Sequence, residues 1–142
     1  MKKVTALNVL VVLAMVTILT PSVAQQSTPG MYAQVQSNHK RFVFQMLPDK
    51  TYEKVVAYVS FYGKDNKRIA QKAYSITDEK EKYVRKGVCT TRVFKMSVDG
   101  DVARVKIDHV NEGETLKDDK GDNSGKKIAL PVSTAPLGPV DK

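Results

Sequence analysis

The chain has one cysteine, Cys89, no tryptophan and two histidines, His39 and His109. A single thiol excludes an internal disulfide, so the fold must rest on its apolar core. Neither histidine has Cys or His neighbours at zinc-like spacing, which argues against a zinc site. Six prolines and eight glycines in 142 residues exclude a collagen-like or low-complexity chain. No Gly-rich phosphate loop follows a strand pattern, and no G-x-S-x-G elbow is present. Acids are also scarce: 15 Asp and Glu face 23 Lys and Arg, a net charge of +8. That surplus speaks to solubility and to anionic partners, not to fold.

What is present begins with a targeting pattern. Lys2 and Lys3 precede an uncharged apolar run from Val4 to Leu19, and Pro21 then leads into Ser22-Val23-Ala24. This predicts a secretory signal peptide over residues 1–24, cleaved after Ala24. The apolar run is shorter than the roughly 20 residues needed to span a bilayer, so no retained transmembrane helix is expected. The expected location is the periplasm or the outside. Cleavage removes Lys2 and Lys3 and leaves a surplus of +6.

Residues 25–31 read as a polar linker, 32–133 as one domain and 134–142 as a flexible or extended tail. Within the domain, Val, Ile, Phe, Tyr and Thr recur in short runs between turn residues: Arg41 to Leu47, Lys54 to Tyr62, Arg68 to Ile76, Val88 to Val98, Val102 to Val110 and Lys126 to Val132. A short edge strand over Tyr32 to Val35 completes the set. The expected fold is all-β: a single antiparallel β-sandwich of about seven strands, immunoglobulin-like in architecture. Thr77 to Arg85 reads as a loop with one helical turn. Glu112 to Lys127, rich in Gly, Asp and Lys, reads as a long mobile loop, and Pro131 implies an edge position for the last strand.

Two hairpins are predicted. Asp99-Gly100 fits a type I′ turn that sets Phe94 opposite Val105 and Met96 opposite Ala103. Phe94, Met96, Val98, Ala103, Val105 and Ile107 would then share one apolar face. The second turns at Lys64-Asp65-Asn66, with Asn66 left-handed, Phe61 opposite Ile69 and Ala57 opposite Ala73. The strand before it is apolar on both faces, which predicts a covered central position. The segment from Val55 to Asn66 (VVAYVSFYGKDN) resembles hairpins of secreted bacterial immunoglobulin-like modules over those residues and no further.

For chemistry, Cys89 and His109 are the first pair to weigh. The predicted hairpin sets His109 opposite Thr90 and points the two side chains to opposite faces, whereas a nucleophile and its base must meet. Asp118, Asp119, Asp122 and Asn123 superficially suggest calcium, but Lys120 and Gly121 fall where an EF-hand needs oxygen ligands. No catalytic residue, metal or cofactor is expected. A basic cluster remains, Lys64, Lys67, Arg68 and Lys72, with Tyr58 and Tyr62 close by in sequence. Lysines on strand edges also guard against sheet-to-sheet aggregation.

The expected function is therefore an exported, non-catalytic binding or assembly module that contacts a protein or an anionic envelope component through this cluster. Nucleic acid is not an expected partner of an exported chain. The alternatives are a small secreted hydrolase built around His39 or His109, and an adhesin or pilus-type subunit that pairs by strand addition.

Overall fold

The computed structural model describes residues 28–118 and 120–140; the expected signal peptide lies outside them. Nine strands make up the regular structure of the described residues: β1 (Gly30–Val35), β2 (Arg41–Leu47), β3 (Tyr52–Glu53), β4 (Val56–Tyr62), β5 (Arg68–Ser75), β6 (Tyr83–Val84), β7 (Thr90–Lys95), β8 (Arg104–Glu112) and β9 (Lys126–Lys127). The described residues are thus all-β, and they contain no helix long and apolar enough to cross a membrane.

The strands form three antiparallel sheets, ordered β1-β2-β7, β5-β4-β8-β9 and β3-β6. Their shared core follows from the two-residue period of a strand. Phe42, Phe44 and Met46 alternate along β2, Ala57, Val59 and Phe61 along β4, and all six are buried. Val105, Ile107 and Val110 from β8 complete this layer. The Phe42 ring meets those of Phe61, Tyr74 and Phe94 at centroid distances of 5.6, 5.0 and 5.4 Å. This aromatic group ties β2 and β7 of one sheet to β4 and β5 of the other. β4 holds the central position that its two apolar faces imply, between β5 and β8.

The Asp99-Gly100 hairpin does not form. β7 pairs with β2, placing Phe94 opposite Phe42, while β8 pairs with β4, placing Val105 opposite Phe61. Residues 96–103 cross from one sheet to the other. A type I′ turn needs positive φ at both central residues, but here Gly100 has φ 108° and Asp99 is not left-handed. Val102 is buried and Ala103 exposed, so the expected shared face is also broken. Local turn preference has yielded to burial: the two apolar strands each complete a different sheet of the same core.

At the second hairpin Asn66 is left-handed as expected, with φ 63°. The register differs by one residue beyond it. Tyr62 faces Arg68, Phe61 faces Ala70 and Ala57 faces Tyr74, leaving Ile69 as an extra residue in a bulge. Thr77 to Arg85 forms no helical turn. Asp78 instead accepts hydrogen bonds from the backbone N–H groups of Lys80 and Glu81 at 2.8 and 2.7 Å, and the chain then enters β6. Residues 131–133 lie along the outer edge of β1, where Pro131 accepts from the Met31 N–H and Ser133 donates to the Met31 carbonyl. The segment expected as a tail is seated beside β2. The fully buried Gln45 accepts from Leu137 N at 2.7 Å and donates to Gly138 O at 3.3 Å.

Candidate partner-binding site

The basic residues singled out in the sequence gather on the β4–β5 hairpin and along β5. Lys64, Lys67 and Arg68 are exposed at its tip. Backbone bonds from Gly63 N to Lys67 O and from Asn66 N to Gly63 O close the turn, and Asp65 Oδ1 accepts from Lys67 N. Tyr62, half-buried, lies under the Arg104 guanidinium at 4.3 Å, and Arg104 also donates to Asn66 Oδ1 at 2.8 Å. The tip is therefore braced from β8 while its cations remain free to meet a partner.

Further along, β5 ends the four-stranded sheet. Its residues Gln71, Lys72, Ala73, Tyr74 and Ser75 line an open groove of about 790 Å³, with Lys95 and Ser97 on one wall and Leu116, Asp118, Lys120, Gly121 and Tyr58 on another. The Lys72 ammonium bonds the Ser97 carbonyl across the groove end. Three lysines thus meet one described acid. Lys95, Lys120 and Ser97 were not among the sequence candidates. Only the folded chain brings β7 and the 116–121 loop beside β5.

Tyr58 is not the surface aromatic that its sequence neighbourhood implied. It is 7% exposed. Its hydroxyl donates to Glu114 Oε2 and accepts from Asn123 N at 2.9 Å, and its ring stacks on His109 at 4.4 Å. A bulge on β8 produces this contact. Tyr58 faces His109 while Val59 faces Ile107, so Asp108 is the extra residue and the in–out alternation reverses beyond it. Val110 consequently points into the core and His109 out against Tyr58. Asp108 accepts from Ser60 Oγ at 2.5 Å and Gln71 Nε2 at 2.8 Å, binding β8 to β4 and β5 on the outer face.

Glu114 is the residue that sequence reasoning missed. Although it falls in the polar stretch expected to be mobile, it is 2% exposed. Its carboxylate accepts from the Tyr58 hydroxyl, Asn111 Nδ2 at 3.1 Å and Gly125 N at 2.9 Å. Burial pushes this carboxyl up, but the three donors outweigh burial and hold it below its ordinary value. Burial, with the Glu114 hydrogen bond, pushes the Tyr58 phenol up to about 12. Asn123 Oδ1 accepts from Asn111 Nδ2 and lies 2.9 Å from His109 Nε2. The loop is thus latched over the outer face of the sheet, and it positions Lys120 and Gly121 at the groove.

Cys89 precedes β7, half-buried, with its sulfur beside Gly138. His109 belongs to β8 in the other sheet. Their separation comes from this sheet assignment and not from the facing register expected of them. Burial pushes the Cys89 thiol up, against a hydrogen bond with Thr91 that lowers it. His39 lies at an exposed turn, its Nδ1 3.3 Å from the Val102 carbonyl. Among the described residues no three or more His, Cys, Asp and Glu side chains group as a metal site would require.

Comparison of the chain with protein-family models, with curated proteins and with solved structures returns no match.

Proposed function

We propose that the protein is an exported binding module, without catalysis of its own, that engages an anionic partner through the β4–β5 hairpin and the groove beside β5. The observation that carries this reading is the convergence of cations. Lys64, Lys67 and Arg68 stand exposed at the hairpin tip, and Lys72, Lys95 and Lys120 line the adjoining groove against Asp118. Clefts lined by one sign of charge concentrate oppositely charged ligands and speed their encounter. Export rests on the pattern of residues 1–24, with the periplasm or the exterior as destination. The two larger sheets around one core support a β-sandwich of immunoglobulin-like kind.

The hydrolase alternative needs a nucleophile beside a histidine. His109 is occupied by the Tyr58 ring and Asn123, and the small cleft at His39 is lined by Lys64, Asp101, Val102 and Ala103. The Tyr58 hydroxyl beside His109 is already engaged by Glu114 and the Asn123 N–H, and no Ser, Thr or Cys lines the His39 cleft, which favours binding over turnover.

The test is retention on immobilised polyaspartate against polylysine, for the native protein and a Lys67→Glu, Arg68→Glu variant. Native protein should be retained on polyaspartate alone. The variant should elute earlier, and the difference should shrink as ionic strength approaches about 1 M, where the screening length is ~3 Å. Equal elution of both proteins at low salt would overturn the reading.

A further inference from the structure

Resting on that reading, we infer that the partner contributes an extended acidic peptide segment, which adds as a strand to the free edge of β5.

Three observations lead there. First, β5 is the longer of two strands with an open sheet edge, the other being the six-residue β7, and the β5 edge faces the groove. Its eight residues, Arg68–Ser75, pair with β4 on one side and with no described strand on the other. The opposite end of this sheet is the two-residue β9, and the outer edge of β1 is covered by residues 131–133. An open edge presents alternating N–H and C=O groups that an incoming strand satisfies.

Second, the groove follows that edge. Five consecutive β5 residues, Gln71 to Ser75, form its length, and its volume of about 790 Å³ falls within the roughly 300–1,000 Å³ of ligand clefts. Along a strand, side chains alternate between faces. An added strand would therefore turn every second side chain toward Lys72 and Lys95, and the intervening ones toward the 116–121 loop with Lys120.

Third, charge selects the occupant. The β5 sequence RIAQKAYS holds two cations and no acid. Pairing β5 with the β5 of a second copy would bring no acid to this edge, and an antiparallel register centred on Lys72 would set like charges directly opposite, which is destabilising. An acidic segment meets Lys72, Lys95 and Lys120, opposed by Asp118. Edge lysines that discourage self-pairing thus admit a partner of opposite sign. Backbone pairing would supply affinity, and the lysines selectivity and encounter rate.

The experiment uses blocked peptides of sequence Val-Glu-Val-Glu-Val-Glu-Val, the same peptide with Lys for Glu, and a fully N-methylated acidic peptide. Binding is followed by fluorescence anisotropy, and the edge by amide hydrogen exchange of the labelled protein. The acidic peptide should bind, its lysine counterpart should not, and N-methylation should abolish binding. Alternate amides within residues 71–75 should exchange about tenfold more slowly in the complex, and a Lys95→Glu, Lys120→Glu variant should bind about tenfold more weakly at low salt. Both substituted side chains are exposed, and an unchanged exchange pattern in the β2 and β4 cores would show the variant folded. Equal binding of the acidic and N-methylated peptides, without protection at β5, would overturn strand addition and leave the anionic-partner reading intact. No preference for acidic over basic peptide would overturn both. Protection of β5 that grows with protein concentration, without peptide, would indicate self-pairing and overturn the acidic partner.

Discussion

Replacing Glu114 by Ala or Gln tests whether a polar loop is held in place by one buried carboxylate. In the native protein this carboxylate is 2% exposed and accepts three hydrogen bonds. The Ala variant affects the donors unequally. Asn111 Nδ2 retains Asn123 Oδ1, and the Tyr58 hydroxyl retains the Asn123 N–H while it can turn its own proton elsewhere. Gly125 N loses its described partner. One buried donor left unpaired costs about 1–3 kcal/mol, and loss of the charge-assisted bonds adds a similar amount, so the expected total is about 3 kcal/mol. Glu114→Gln keeps the shape and one acceptor oxygen, and about 1–2 kcal/mol is expected. The pH dependence has a definite sign. Because the folded carboxyl lies below its ordinary value of 4.5, its contribution is complete above that value and is lost as pH falls through the lower folded value. Urea unfolding from pH 7 to pH 3, followed by circular dichroism, should therefore show the native protein losing its advantage over the Gln variant below about pH 4.5. A constant difference across that range, or an Ala variant within about 0.5 kcal/mol of native at pH 7, would refute the latch.

Three further outcomes are expected. Phe42→Ala should cost about 3–5 kcal/mol in chemical denaturation, because Phe42 is fully buried at the centre of the aromatic group; Phe94→Ala should cost less, since Phe94 is half-buried. Gly125→Ala should destabilise by about 1–3 kcal/mol, because a Cβ there would stand 2.5 Å from the Glu112 carbonyl and 2.9 Å from Glu114 Cβ; a variant as stable as native would show that the loop has room to relax. Cys89, half-buried with a thiol pushed up by its surroundings, should react with a disulfide reagent at pH 8 several-fold more slowly than in the urea-unfolded chain, and equal rates would place it at the surface.

Much of this fold is legible in the residues alone because strand periodicity is a local property. Phe42, Phe44 and Met46 announce an inward face of β2 wherever β2 pairs, and the doubly apolar Val55 to Phe61 run announces a central strand. Asn66 marks a left-handed turn because few other residues tolerate one. The basic character of the hairpin is equally direct, since Lys64, Lys67 and Arg68 lie close together along the chain.

Other features depend on which strands meet. Alternation shows that Phe94 and Val105 are inward-facing, but it does not assign them to one sheet or two. Aromatic packing of Phe94 on Phe42, and of Phe42 on Phe61, settled that against a favourable Asp-Gly turn. The Ile69 and Asp108 bulges change register only where partner strands meet, so counting residues along one strand cannot reveal them. Glu114, Asn111, Asn123 and Gly125 look like solvated loop residues because polarity normally signals exposure. Here Glu114 accepts from Tyr58, Asn111 and Gly125, and Asn111 also donates to Asn123, which lowers the cost of burying Glu114 even though Asn111 Oδ1 has no described partner. The sequence by itself determined the all-β character, the inward face of β2 and the basic hairpin, all of which reside in neighbouring residues. The tertiary structure decided sheet membership, the latched loop and the lysine-lined groove, because each joins groups from strands and loops distant in the chain.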